Sequence, residues 1–369
     1  MPAPVRLGVI GLGMGGAHMR AALSTPKARW TAIAEPSQQR RDNLYEQVAK
    51  HHDAATADRI RALPVFDDYR DMVKAGAVDA VLNALPTAMH AESSIWLMKA
   101  GVHVLCEKPP TCNDREMARV AACARQQGRT YMFVRQQRFE AAKLTARRLI
   151  ERGRCGEIYH AESTWIRSGN IPFRGGWGVN RASGGGVLLD LGVHVIDDAW
   201  FLMGCPRPVE AFAGLHCAFA DLGARQKLSL PYDADDAAYG MIRFANGSTL
   251  QFGTTFALNT DGHPHAALND NHKAEWLELR VFGTKAGIDL KHQRMTLRQP
   301  GKETVRQQAL DSSRHRGPTG SAAMVADFVK AIISGQDSLN PPEQALGLMR
   351  MLAALQRSAD TGRSVSVKM

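Results

Sequence analysis

The chain has 369 residues, with 46 Lys and Arg against 36 Asp and Glu, for a formal charge of +10. Hydrophobic residues make up 44% and charged residues 22%, ordinary globular usage with room for two domains and a core in each. The basic excess is scattered (Arg40-Arg41, Arg147-Arg148, Arg314-His-Arg316) with no Lys/Arg run and no aromatic-interleaved stripe, which argues against nucleic acid but leaves anionic ligands favoured.

In chain order, Val5–Ile10 reads as a buried strand, Gly11–Gly16 as a turn and Ala17–Ser24 as a helix. Trp30–Ala34 is a second strand and Ser37–Val48 has helical spacing. Asp67–Val73 leads a short helix into the strand Val78–Asn83. Ala91–Ala100 is a helix stopped by Gly101, His103–Cys106 a strand, Asp114–Gln127 a helix closed by Gly128, and Tyr131–Val134 a further strand. This alternation predicts a doubly wound parallel sheet, an α/β Rossmann domain over residues 1–130. The pattern then changes. Glu140–Arg152 reads as a long helix, and alternating segments at 156–165, 207–217, 237–245, 248–256, 275–282 and 293–298 read as strands, with Asn246-Gly247 as a hairpin signal. Residues 131–369 are therefore expected to form an α+β domain with an open, mainly antiparallel sheet. Ser183–Met203 reads as one apolar helix within it. Two terminal helices, Ser321–Ser334 and Pro342–Thr361, are expected to pack back toward the first domain. The six cysteines form no Cys-x-x-Cys pair, and no secretory leader or membrane-length apolar run is read. The expectation is a soluble, cytoplasmic protein without membrane or nucleic-acid partners.

Gly11-x-Gly13-x-x-Gly16 follows a strand and opens a helix. There the first glycine permits the tight turn, the second lets a pyrophosphate approach the backbone, and the third lets helix and strand pack closely. Free N–H groups and the helix dipole favour the diphosphate. Gly11, Leu12, Gly13, Met14 and Gly16 are thus candidate dinucleotide contacts. Glu35 ends the next strand, 19 residues after Gly16. A carboxylate there accepts from the adenosine ribose hydroxyls and repels a 2′-phosphate, so NAD is favoured over NADP. Ser37, Arg40 and Arg41 are near enough to weaken that preference, and Arg40 joins the candidate contacts.

Two more strand ends reach the same edge. After Asn83, the residues Leu85, Pro86 and His90 are candidates to lie against the dinucleotide; for His90 an ordinary capping role is an equal reading. In Glu107-Lys108-Pro109, the proline restricts Lys108 to an extended conformation. A lysine near a cationic nicotinamide has its pKa lowered by like-charge repulsion; a solvated Glu–Lys pair is the equal alternative. In the apolar helix, Asp190 and His194 stand four apart on one face. A buried imidazole suits a general base, and a satisfied Asp–His core pair is the competing reading. A zinc site on Asp190, His194 and a cysteine lacks a compact ligand set, so no metal is expected.

Taken together, these segments resemble the glucose-fructose oxidoreductase / inositol dehydrogenase (Gfo/Idh/MocA) family over nearly the whole chain. The matching motifs are the glycine turn, Ala84-Leu-Pro86 with His90, Glu107-Lys108-Pro109, the glycine-led helix with Asp190 and His194, and Asp327-Phe328, Ala345 and Thr361-Gly362-Arg363 near the end. The resemblance implies that Lys108, Asp190 and His194 form the catalytic group for hydride transfer between a carbinol carbon of a sugar, cyclitol or glycoside and nicotinamide. His194 would take the hydroxyl proton, Lys108 would hydrogen-bond the same oxygen, and Asp190 would hold a substrate hydroxyl or tune its neighbours. It implies further cofactor contacts from Glu107, Lys108, Gln136 and Trp177. Substrate contacts would come from Trp165, Arg167, Asn170 and Phe173, each with a packing or turn role as the alternative, and from the polar loop Asn259–His265. The segment Val134–Phe139 departs from the family's usual pattern. The open face of the second sheet implies a homodimer or homotetramer. Two other readings remain: a relative that recycles tightly bound NAD(H), as a sugar–sugar oxidoreductase or a glycoside-cleaving enzyme, and a non-catalytic NAD(H) sensor. The intact Lys108, Asp190 and His194 argue against the sensor.

Overall fold

The computed structural model describes residues 3–169, 171–258, 267–268, 274–298, 301 and 303–368. The chain divides into two compact units, Met1–Phe139 with Gly317–Leu346, and Glu140–Arg316 with Gly347–Met369.

The first unit is built on six parallel strands: β1 (Val5–Ile10), β2 (Ala28–Ala34), β3 (Val65–Phe66), β4 (Ala80–Asn83), β5 (His103–Cys106) and β6 (Tyr131–Phe133). Their order is β3-β2-β1-β4-β5-β6. β1, β4, β5 and β6 are short, apolar and almost wholly buried, as strands covered by helices on both faces must be. The strand order reverses between β1 and β4. Ligands of such sheets bind beside that point, at the carboxyl ends of the strands. Helices start where a side-chain oxygen replaces a missing partner: Ser37 accepts from the Arg40 N–H, Asp53 from Thr56 and Asn113 from Glu116. The late helix Gly320–Ser334 belongs to this unit, since Met324, Val325, Phe328 and Val329 share its core with Leu7, Met19, Val134 and Phe139. The unit runs past residue 130 because β6 completes the sheet and Phe139 its core. Arg138 is fully buried and donates to the Leu339 carbonyl at 2.7 Å and to the Gln344 side chain. Asn340 donates to the Phe133 carbonyl at 3.1 Å.

The second unit carries β7 (Ile158–Arg167), β8 (Pro208–His216), β9 (Ala237–Phe244), β10 (Thr249–Thr255), β11 (Ala267–Leu268), β12 (Ala274–Gly283), β13 (Ala286–Asp289), β14 (Arg294–Arg298), β15 (Val305–Ala309) and β16 (Val365–Ser366). The order is β15-β14-β13-β12-β7-β10-β9-β8-β16, with β11 beside β12. Among the described residues every pairing is antiparallel except β7 with β10. The hairpin turn falls at Asn246-Gly247, where Gly247 takes φ 84° and Asn246 Oδ1 accepts from the Ser248 N–H. The helix Val193–Leu202 packs on β7, β10 and β12. On the sheet, Phe212 of β8 stands opposite Met241 of β9, and both are exposed.

The single helix expected over 183–203 is corrected. Gly184 (φ 77°) and Gly186 (φ 109°) take a conformation no right-handed helix contains. The helical segment begins with a π turn, Leu188–Gly192, and becomes α-helical at Val193. Its buried side includes an ion pair: Lys143 Nζ lies 2.7 Å from Asp198 Oδ2, with side chains only 5% and 4% exposed. Removing one partner strands a buried charge. Lys143→Met is therefore expected to lower unfolding free energy by about 3–5 kcal/mol, and Lys143→Met with Asp198→Leu to recover most of it, as read by urea denaturation.

Candidate active site

In the first unit the glycine turn closes against the loop after β4. A Cβ on Gly11, at φ 81°, would stand 2.6 Å from the Ala84 carbonyl oxygen. At Gly13 a Cβ would meet nothing within 4 Å. The close approach of helix to sheet falls on Gly15, where a Cβ would lie 2.9 Å from Ala84 Cβ and 3.0 Å from Val9 Cγ2. Gly16, which the sequence pattern singles out for that role, would make only ordinary contacts, 3.7 Å from Leu44. Leu12 turns its side chain into the core, while Met14 is exposed.

Glu35 is buried at the end of β2. Its Oε2 accepts the Leu12 N–H at 2.8 Å and its Oε1 the Ser37 N–H at 3.0 Å. Arg40 lies 3.5 Å from the same carboxylate and Arg41 donates to the Glu35 carbonyl. Each carboxylate oxygen can accept a further hydrogen bond.

The loops after β4 and β5 are tied together by His90. Its Nδ1 lies 2.9 Å from the Pro109 carbonyl and its Nε2 2.7 Å from the Leu85 carbonyl. Burial works against a charged ring here, but Cys106 and the two carbonyl acceptors outweigh it and push the pKa up to about 9. Two acceptors require two N–H donors, which only the imidazolium offers. Leu85 and Pro86 sit on the loop His90 holds, with Pro86 exposed at the start of the helix Thr87–Lys99.

His18 is a residue the sequence reading passed over. It is buried in the helix Met14–Ala21, with Nε2 2.6 Å from Glu107 Oε1 and Nδ1 2.7 Å from Ser321 Oγ. Glu107 Oε2 accepts the Lys108 N–H at 2.8 Å. Burial would raise the Glu107 carboxyl, but His18 and the Lys108 N–H hold it below the usual range. Lys108 is half-buried, and its bond to Pro109 is cis. Gln136, in the short helical turn after β6, has a buried Oε1 with no hydrogen-bond partner among the described residues.

In the second unit, His194 is buried and Asp190 half-buried. The Trp165 ring meets the His194 ring edge-on at 5.5 Å. Arg167 lies over the Trp165 ring at 5.1 Å. Glu275, across the β7–β12 pair, accepts from Trp165 Nε1 at 2.5 Å and from Arg167 Nε at 2.7 Å. The helix entry is held by Asp235, whose Oδ2 accepts the Leu188 N–H at 2.7 Å and whose carbonyl accepts the Val187 N–H. Burial pushes the Asp235 carboxyl up to about 6. Phe173 meets Tyr232 edge-on at 6.2 Å, and Trp177 sits in a turn beside Gly175 and Gly176, both at positive φ. Asn170 and the loop Asn259–His265 lie outside the described residues. Among the described residues no cluster suits a metal ion, and no helix is long and apolar enough to cross a membrane.

Residues 5–135 match the family model for the oxidoreductase family with an NAD-binding Rossmann fold, and residues 144–289 match the Gfo/Idh/MocA C-terminal domain. The chain belongs to the Gfo/Idh/MocA family. It is 27% identical over 323 residues to D-glucoside 3-dehydrogenase of Escherichia coli K12, covering 85% of this chain and 86% of the relative. It is 27% identical over 307 residues to levoglucosan dehydrogenase of Pseudarthrobacter phenanthrenivorans, covering 79% and 74%. A solved structure of a levoglucosan dehydrogenase with NADH and levoglucosan shares the fold, with a TM-score of 0.77 over 99% of this chain and 100% of that one at 22% identity.

This Gfo/Idh/MocA protein is thus an NAD-binding oxidoreductase, and its residues fit that cofactor. The open Cβ position at Gly13 is the close-approach point a diphosphate needs, and the orphaned Gln136 oxygen is an acceptor awaiting a donor. Gly13, Glu35 and Gln136 would hold NAD, which supplies a hydride acceptor.

Two predictions follow from this geometry. Gly15→Ala should lose about 1–3 kcal/mol of stability from overpacking and Gly16→Ala almost none, by thermal unfolding; Gly13→Ala should keep its fold and bind NAD more weakly, by fluorescence titration. His90 has a folded pKa above its unfolded value near 6.5, so its stabilisation is complete below pH 6.5 and lost as pH rises through about 9. Wild type should lose up to ~3 kcal/mol across that window, while His90→Leu, already weaker at pH 6, should show no such alkaline fall.

Proposed function

We propose that the protein oxidises a carbinol carbon of a sugar, cyclitol or glycoside, passing the hydride to NAD. The observation that carries this reading is the buried His194 set against the Trp165 ring, with Arg167 stacked on the same indole. An imidazole is a proton acceptor suited to neutral pH, and an indole face suits the C–H surface of a pyranose. The relatives named for glucoside and levoglucosan dehydrogenation point to the same substrate class.

His194 takes the proton of the reacting hydroxyl as its carbon loses hydride. Lys108 donates a hydrogen bond to that oxygen and stabilises the negative charge that develops on it. Asp190 holds a neighbouring hydroxyl. Glu107 and His18 act behind Lys108 by fixing its backbone. General acid–base help of this kind is worth roughly 10²–10⁴-fold.

The test is to supply NAD with a panel of polyols and pyranosides and follow NADH release. On the substrate found, Lys108→Met and His194→Ala should each lower kcat by roughly 10²–10⁴-fold, with the circular dichroism spectrum unchanged. Turnover within a few-fold of wild type in either variant would remove that residue from the mechanism. Turnover without added cofactor would replace the dehydrogenase with the cofactor-recycling reading.

A further inference from the structure

The edge of the first sheet opposite the glycine turn holds a separate cavity of about 320 Å³. It is bounded by His103 and Thr130 at the starts of β5 and β6, by Arg129, by the turn after the helix Gly320–Ser334, and by Glu343 in the first turn of the helix Pro342–Thr361. Dinucleotides bind such sheets at the other edge, beside the carboxyl ends of the strands.

Arg129 is the unusual group there. Its Nε is buried and donates to nothing among the described residues, and none of their carboxylates pairs with its guanidinium. A buried cationic donor without an acceptor is costly, and such groups are almost always matched. His103 supplies a second donor. Its Nδ1 accepts the Thr130 N–H at 2.9 Å, so the proton of the neutral ring must reside on Nε2. Burial, with the Arg129 charge beside it, holds the His103 pKa down to about 4, and the ring stays neutral. At the rim, Arg125 and Glu343 pair with each other at 2.9 Å. Asp337 is exposed on the same wall. Carboxylates at the rim make the cavity less favourable for a highly charged ligand than for a compact one.

We propose that Arg129 and His103 form a binding site for one compact oxyanion, a phosphate or a carboxylate, at the amino-terminal edge of the Rossmann sheet. The guanidinium gives charge and paired donors, and the imidazole one further N–H.

Inorganic phosphate, and separately acetate, would be titrated calorimetrically into the full chain saturated with NAD at fixed ionic strength. The bound dinucleotide keeps either anion off the glycine turn. Saturable binding of one of them is expected, and which one names the source. Binding should weaken by about tenfold or more in Arg129→Gln and survive in part in Arg129→Lys. Without anion, Arg129→Gln should melt at or above the wild-type temperature, since it removes the unmatched buried Nε–H of a half-buried guanidinium. The proposal fails if wild type binds neither anion, if Arg129→Gln binds as well as wild type, or if the anion-free variant melts well below it.

Discussion

A carboxylate withdrawn from water must have its lone pairs met by donors, and the ligand edge of the first unit is organised around two that are. Glu107 accepts from His18 and from the Lys108 N–H. Glu35 accepts from the Leu12 and Ser37 N–H groups. Each buried acid therefore fixes the backbone of a loop that would otherwise be free to move. Through His18, Glu107 also reaches Ser321 at the start of the helix Gly320–Ser334. A segment 303 residues from His18 in sequence thus helps set where Lys108 leaves the sheet.

The second unit uses the same device. Asp235 fixes the entry of the helix that carries Asp190 and His194, by accepting the N–H of Leu188 and, through its carbonyl, that of Val187. Gly186 is required beside it, because a Cβ there would stand 2.6 Å from Asp235 Oδ1. Glu275 does for Trp165 and Arg167 what Glu107 does for Lys108: one oxygen receives both side chains. In both units the residues proposed for chemistry are held by acids that do none of it.

The strands, the glycine turn and the Glu107-Lys108-Pro109 exit were legible because they follow from local rules: apolar runs of strand length, a glycine pattern between strand and helix, and a proline that restricts its predecessor. β3 was not, being only two residues long, nor was β13, whose Ala-Gly-Ile-Asp lacks the apolar run that marks the equally short β4 and β5. β15 was not, because it is exposed throughout and has no buried face to pattern. The role given to Gly16 belongs to Gly15, a distinction that depends on where Val9 and Ala84 project and that spacing alone cannot carry. His18, Asp235 and Glu275 were missed for one reason. Each acts through a partner at least 47 residues away, and nothing local marks it.

The buried histidines of the first unit also narrow the chemistry there. His18 has both nitrogens engaged, by Glu107 and Ser321. His90 has both engaged by backbone carbonyls, and its raised pKa keeps the proton where the loops need it. Neither can accept a substrate proton without breaking a bond that shapes the ligand edge. His103 lies at the other end of β5. Both histidines at the edge that holds the glycine turn therefore serve its geometry, which is why Lys108, and not either imidazole, is the first unit's residue in the proposed reaction.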